Sequence, residues 1–217
     1  MTLFLGKTAV SPVINVGGNS DTPSVKYKLL QRVSDDSNNE IGTVSGFFTD
    51  ANDVEYAVVC LDTQYRNDST QWCSSNNKVT NMPIYTSNYN SWWYDAMETA
   101  TQNTQLILDY CSAGSFTSSS CSHCRSKSFT IDGTTYYGQL PNMREVFDIW
   151  RHRVQIEQMD ASASSDSWKN FSSARNIWSS SQSVSVNGWL LSTGGSVSTY
   201  GKTGGNLACP VLEIPLS

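Results

Sequence analysis

Six cysteines and two histidines are the residues of this 217-residue chain with the most reactive side chains. Three of the cysteines and one histidine share the stretch CSAGSFTSSSCSHC, as Cys111, Cys121, His123 and Cys124. Thiolates and an imidazole hold a structural zinc when four of them converge on a tetrahedron. One C-x-x-C with a single upstream cysteine supplies three ligands, and the fourth would be His123 or the distant Cys60, Cys73 or Cys209. The same thiols also read as buried free cysteines, or as disulfides formed after the protein leaves a reducing compartment. All three readings stand at this point, and no cofactor besides a structural zinc is expected.

Catalytic chemistry has few candidates. Cys209 lies in LACPVLEI, an apolar run that offers a thiolate neither base nor cation. His123 sits in the Cys-rich turn and His152 between Arg151 and Arg153, which leaves little to build a Ser-His or Cys-His pair from. The acids of SDDSN and TDANDVE are turn formers first. The expectation is a chain that is not an enzyme.

The elements that would position these residues can be read from composition and pattern. Hydrophobic residues make up 38% of the chain and charged ones 15%, so the balance is uncharged and polar, yet seven Trp, ten Tyr and seven Phe provide core anchors. A net charge of −5 argues against sequence-independent nucleic-acid binding, although Arg144, Arg151, His152 and Arg153 cluster. No run approaches the ~18 apolar residues of a membrane span. The start, MTLFLGKTAVSPVINVGG, lacks the charged lead of a secretion signal, which points to folding in a cytoplasm.

Residues 1–24 place Leu3, Leu5, Val10, Val13, Ile14 and Val16 in a strand-like pattern that ends in GGNSDTPS. This reads as an attachment or oligomerisation segment with a linker, leaving 25–217 as the main domain. There VKYKLLQRV reads as a strand, and GFFTD and EYAVVCLD as a hairpin about ANDV whose second arm is central. Residues 62–93 read as one long connection. Two helices follow: one carries Met97, Ala100, Thr104, Ile107, Leu108 and Cys111 along a stripe, with Asp95 and Glu98 as its capping box. The other carries Met143, Val146, Phe147, Trp150 and Val154 behind an Asn142 cap. A hairpin about Asp132-Gly133 separates them, and short strands at 177–178, 188–191, 197–200 and 208–214 close the chain. The fold class is α+β: an antiparallel sheet with two helices packed on it.

The run GQLPNMREVFDIWRHR, then NIWSSSQ, NGWLLSTGGSV and ACPVLEIP, resembles the C-type-lectin-like domains of bacteriophage tail-fibre and other virion proteins. The matching positions are Leu140, Pro141, Glu145, Trp150, Trp178, Ser179, Ser180, Gln182, Trp189, Gly195, Val197 and Pro210 to Ile214, and DANDVEYAVVCLD with WWYDAMETATQNTQLIL resembles the earlier half. The likeness spans roughly 40–215. It implies a fibre, or a head or tail decoration, exposed on a virion and displaying a face for a bacterial surface glycan or protein. It also implies joining to other virion proteins through the first segment, as an oligomer with a trimer favoured. A decoration without ligand is the alternative. Small polar residues with Tyr suit adaptable binding surfaces, so the expected ligand face comprises Ser181, Ser183, Ser185, Asn187, Ser192, Thr193, Ser198, Tyr200, Lys202 and Asn206, with Trp92 and Trp93. Calcium-dependent sugar binding is not expected: 176–217 holds no E-P-N or W-N-D cluster, and Glu213 falls in the closing apolar strand. Formylglycine-generating enzymes share this fold family, but they use two cysteines near the C-terminal region, where this chain has Cys209 alone.

Overall fold

The structure is a computed structural model that describes residues 26–84, 99–163, 170–171, 176–184, 186–192 and 194–216. The first large sheet has the order β1-β2-β3-β11, from β1 (Arg32–Ser34), β2 (Glu40–Thr49), β3 (Glu55–Leu61) and β11 (Val211–Pro215). The β2–β3 hairpin pairs Gly42 with Leu61 and Thr49 with Glu55, and the Asp50 carboxylate accepts from the Asn52 and Val54 N–H groups to set the turn. β3 is central, as its two apolar faces demand. Val58, Cys60 and Val211 face one core, while Ala57, Val59, Leu61, Leu212 and Ile214 face another on the opposite side. That second core is closed by the hairpin β5 (Ser128–Ile131) and β6 (Thr134–Tyr137), whose turn places Asp132 at φ 50° and Gly133 at φ 75°. Asp36 fixes this turn by accepting from the N–H groups of both residues.

The second large sheet has the order β4-β10-β7-β8-β9. Its strands are β4 (Asn67–Gln71), β7 (Ile177–Val184), β8 (Asn187–Leu191), β9 (Val197–Gly201) and β10 (Gly205–Ala208). Four helices stand against the sheets: α1 (Ala100–Ala113), α2 (Ser119–Arg125), α3 (Met143–Arg151) and α4 (Arg153–Met159). The α+β class holds, with three sheets and four helices among the described residues in place of one sheet and two helices.

Several expectations are corrected. Residues 26–31 are irregular about a turn at Leu29 and Leu30, with Leu30 at φ 63°, and only Arg32–Ser34 joins the sheet. The 62–93 connection contains β4, which is polar in sequence because it carries buried Thr70 and hydrogen bonds rather than apolar anchors. The capping box of α1 lies at Thr99 and Gln102; the Asp95–Glu98 pair and Met97 fall outside the described residues. Asn142 caps α3 as expected and forms a box with Glu145, but the buried stripe is Met143, Val146 and Ile149, while Val154 is exposed. A break at His152 turns the chain into α4. Residues 208–214 are not one strand, because the Cys209-Pro210 step moves the chain from the second sheet to the first. The expected attachment residues, Leu3 to Val16, lie outside the described residues, and no described helix is long and apolar enough to cross a membrane.

Candidate ligand face and buried polar centres

The serine-rich strand β7 lies between β8 and β10; β10 pairs with it at Ile177, and further along that edge Pro141 meets Ser180 and Ile84 bridges to Gln182. Its small polar side chains are joints. Ser179 Oγ donates to the Trp189 carbonyl at 2.9 Å, and Ser181 Oγ accepts from the Met143 N–H at the start of α3 at 3.1 Å. The Ser180 N–H donates to the Pro141 carbonyl at 2.6 Å. Gln182 Oε1 accepts from the Val79 N–H at 2.8 Å and from Lys202 Nζ at 2.7 Å. Ser179, Ser180, Ser181 and Gln182 are wholly buried. A backbone this close to two loops and a helix needs small residues for approach and polar ones for the orphan donors that meet it.

Beneath this strand two tryptophans lock the sheet. Trp72 Nε1 donates to the Ser179 carbonyl and Trp178 Nε1 to the Thr70 carbonyl, each at 2.8 Å. The Lys202 ammonium lies 4.6 Å from the Trp72 ring centre and also donates to the Asn77 carbonyl at 2.8 Å. Burial brings the Lys202 ammonium down to about 8.

The expected ligand face therefore divides. Ser181, Ser183, Lys202 and Asn206 are buried, which removes them from any displayed surface. Their polarity serves internal hydrogen bonds: Asn206, for example, accepts from Thr70 Oγ1 through its carbonyl and from Asn176 Nδ2 through its amide. Asn187 and Ser192 are half-buried, Asn187 bonding Thr199 across the strands and Ser192 Oγ accepting from the Ser196 N–H in its own turn. Ser198 and Tyr200 are exposed on β9, with Val186 beside them in the β7–β8 turn. The register pairs Gly188 with Tyr200 and Leu190 with Ser198, so these share one face, and Asn187, a single residue before Gly188, points to the other. Ser185, Thr193, Trp92 and Trp93 lie outside the described residues.

What remains is an edge ribbon rather than a sheet face, and it is rigidly seated. Gly195 holds φ +87° where a Cβ would come within 2.4 Å of the Trp150 ring. Gly204 lies under the Tyr200 ring, where a Cβ would come within 2.0 Å. Tyr200 thus rests on the turn into β10, 6.2 Å from Trp178 between ring centres, with half its surface in solvent. Pattern reading missed this seating because nothing in a single strand tells an edge from a centre.

The Cys-rich segment is corrected by α2. Ser118 caps this helix, accepting from the Cys121 N–H. Cys121 and Cys124, three apart, both turn into the core with Trp72, Cys73, Ile107 and Cys111. His123 turns the other way, with Nε2 2.7 Å from the Tyr65 carbonyl. Helical periodicity separates the imidazole from the thiols, and among the described residues no group of three or more His, Cys, Asp or Glu is disposed to hold a metal.

Sequence reasoning also missed two thiol pairs and an acid pair, all long-range. Cys73 and Cys111 bring their sulphurs within 3.2 Å, and the hydrogen bond from Cys111 lowers the Cys73 thiol to about 6 while Cys111 is pushed up. Cys60 and Cys209 approach to 3.5 Å beside Arg66, whose wholly buried guanidinium stacks 4.0 Å from the centre of the Phe171 ring. Glu213 accepts from the N–H groups of Ala100 and Thr101, at 2.7 and 2.9 Å, and so caps α1 from another element. Burial, then the neighbouring Glu213 carboxylate, push the Glu145 carboxyl well above its usual range. Comparison of the chain with protein-family models, with curated proteins and with solved structures gives no match.

Proposed function

We propose that this chain is a bacteriophage virion protein, a fibre or a head or tail decoration, whose C-type-lectin-like domain binds a bacterial surface glycan or protein. The observation that carries the reading is the clamped edge ribbon: Ser198, Tyr200 and Val186 face solvent from a sheet immobilised by Trp72, Trp178 and Lys202. A rigid frame that shows a half-exposed aromatic ring beside hydroxyls suits recognition, because little side-chain freedom is lost on contact. The lectin-like reading draws support from the closing strand: β11 returns to pair with β3, while β7, β8 and β9 form a separate antiparallel unit.

In this reading residues 1–24 attach the chain to other virion proteins and to copies of itself in a trimer. The protein folds in the host cytoplasm before assembly and works on the virion surface, without nucleic acid or membrane insertion. One observation favours a second reading, an enzyme related to the formylglycine-generating family: Cys209 does have a partner, Cys60. Arg66 lies beside the pair, a cation that the sequence around Cys209 does not offer, but both sulphurs are fully buried, so a substrate would have to open the core to reach them. Binding is the stronger reading.

The test is saturable binding of the purified full chain to intact host cells, comparing wild type with Ser198→Asp/Tyr200→Ala. Binding lost on substitution, in a protein that still melts cooperatively within a few degrees of wild type, supports a receptor face on β9. Absence of binding by the folded wild type points to the ligand-free decoration instead.

A further inference from the structure

The two thiol pairs differ in what surrounds them. Cys60 and Cys209 are fully buried in the core that α3 covers, and Val58, Val211 and Phe171 belong to the same cluster. Cys111 is in the last turn of α1 and lines a surface groove of about 390 Å³ together with Asp109, Ser112, Phe116 and Thr117. Cys111 keeps only 3% of its surface exposed there, and Cys73, just after β4, is wholly buried behind it at 3.2 Å.

The backbone holds this second pair in register independently of the sulphurs. The Ser74 N–H donates to the Thr117 carbonyl at 2.7 Å, and the Thr117 N–H donates back to Ser74 Oγ at 2.9 Å. The Phe116 N–H donates to the Cys111 carbonyl at 2.8 Å, which folds the α1 terminus onto the same strap. The Cys73 N–H is tied to the Lys202 carbonyl. Closing the sulphurs to the ~2.05 Å of a bond takes about 1 Å of movement, within reach of side-chain rotation.

We propose that Cys73 and Cys111 are a disulfide-forming site that closes when the folded protein meets an oxidising thiol–disulfide medium, while Cys60 and Cys209 stay reduced. The oxidant is a small disulfide such as oxidised glutathione. Cys111 passes its proton to the Cys73 thiolate 3.2 Å away, and the Cys111 thiolate so formed attacks one of the small disulfide's sulphurs at the groove, forming a mixed disulfide and releasing one glutathione thiolate, which takes up the proton from Cys73. The Cys73 thiolate then attacks Cys111 Sγ and expels the second. Two protein thiols and one small disulfide become one protein disulfide and two small thiols, with both protons passing to the released thiolates.

The bond would close the 38-residue separation between β4 and α1 into a covalent loop. That loop includes Trp92 and Trp93, so its base would be stapled on transfer from a reducing cytoplasm to an oxidising exterior. The inference rests on the thiol geometry and does not need the virion reading.

The experiment incubates the folded full chain with oxidised glutathione, blocks remaining thiols under denaturing conditions, and maps non-reduced peptides by mass spectrometry. The expected result is four blocked cysteines, one linked pair joining the Cys73 and Cys111 peptides, and a melting temperature about 5–10 °C above the dithiothreitol-reduced protein. Cys60→Ser should leave the link intact, and Cys111→Ser should abolish it. Six blocked cysteines, a persistent glutathione adduct on Cys111, a link to Cys121, or a Cys60–Cys209 link formed first would each overturn the proposal.

Discussion

The two large sheets bury polarity in different ways. The first, β1-β2-β3-β11, scatters single buried polar residues among apolar ones: Thr43 and Ser45 on β2, and Glu213 on β11, which caps α1. The second keeps its polarity in the middle, on β7, where four consecutive polar residues are wholly buried: Ser179, Ser181 and Gln182 bond to other segments through their side chains, and Ser180 through its backbone N–H. A strand of serines is therefore not by itself a displayed strand. Where neighbours approach from both faces, small polar residues are the ones that fit and also supply the hydrogen bonds.

Truncating the tryptophans of the second sheet is the strongest way to break this contrast. Trp72→Ala and Trp178→Ala should each cost about 3–5 kcal/mol, read from urea midpoints at constant m. A cost below about 1 kcal/mol would mean that this sheet is an adornment detached from the core. A smaller effect sharpens the comparison. Gln182→Leu withdraws an acceptor from both Lys202 and the Val79 N–H and should cost about 2–3 kcal/mol. Ser45→Ala, on β2, withdraws one neutral bond to the Val58 carbonyl and should cost about 1 kcal/mol. Equal costs would remove the distinction between the sheets.

The acid pair where α1 and α3 meet β11 differs in pH dependence. The Glu145 carboxyl is raised in the folded state, so the fold holds a proton that the unfolded chain releases. The associated stability is full below the ordinary carboxylate range and is lost as pH rises toward the folded value. Glu213 and Asp148 are the negative groups that act on it. Glu145→Gln keeps the capping geometry without the charge, and should gain about 1–2 kcal/mol at pH 7 relative to wild type while leaving pH 4 unchanged. Denaturation midpoints across that range check it, and parallel curves for both proteins would reject a proton retained on Glu145 in the fold.

Legibility followed the range of the interaction. The Asp132-Gly133 hairpin, the β2–β3 hairpin, the central position of β3 and the Asn142 cap are local patterns, and each was readable. Misread were features set by distant partners. β4 is held by backbone pairing with β10 and by Thr70 Oγ1 donating to the Asn206 carbonyl rather than by apolar anchors, and α2 hides in a Cys-Ser run because its propensity is weak and its core contacts carry it. Of the expected ligand face, Ser198 and Tyr200 are exposed and Lys202 is not, although all three look equally solvent-loving in a string of Ser, Thr and Gly. The thiol pairs join residues 38 and 149 positions apart, which no spacing rule reaches.

Tyr200 gives the smallest stability effect and the most direct contact with function. Its ring is half in solvent, and its inner side rests on Gly204 and faces Trp178. Tyr200→Ala should therefore lower stability by only about 0.5–1 kcal/mol, against several for the tryptophan beneath it. If the edge ribbon is the recognition surface, the same change should weaken host-cell binding at least about tenfold, since aromatic side chains carry much of the contact energy at such surfaces. Tyr200→Phe separates the two parts of that contribution. Retained binding would assign recognition to the ring, which stacks on a ligand, whereas a loss matching Ala would assign it to the hydroxyl. A stability cost from Tyr200→Ala as large as that of Trp178→Ala would make Tyr200 a core residue and place the ligand face elsewhere on the chain.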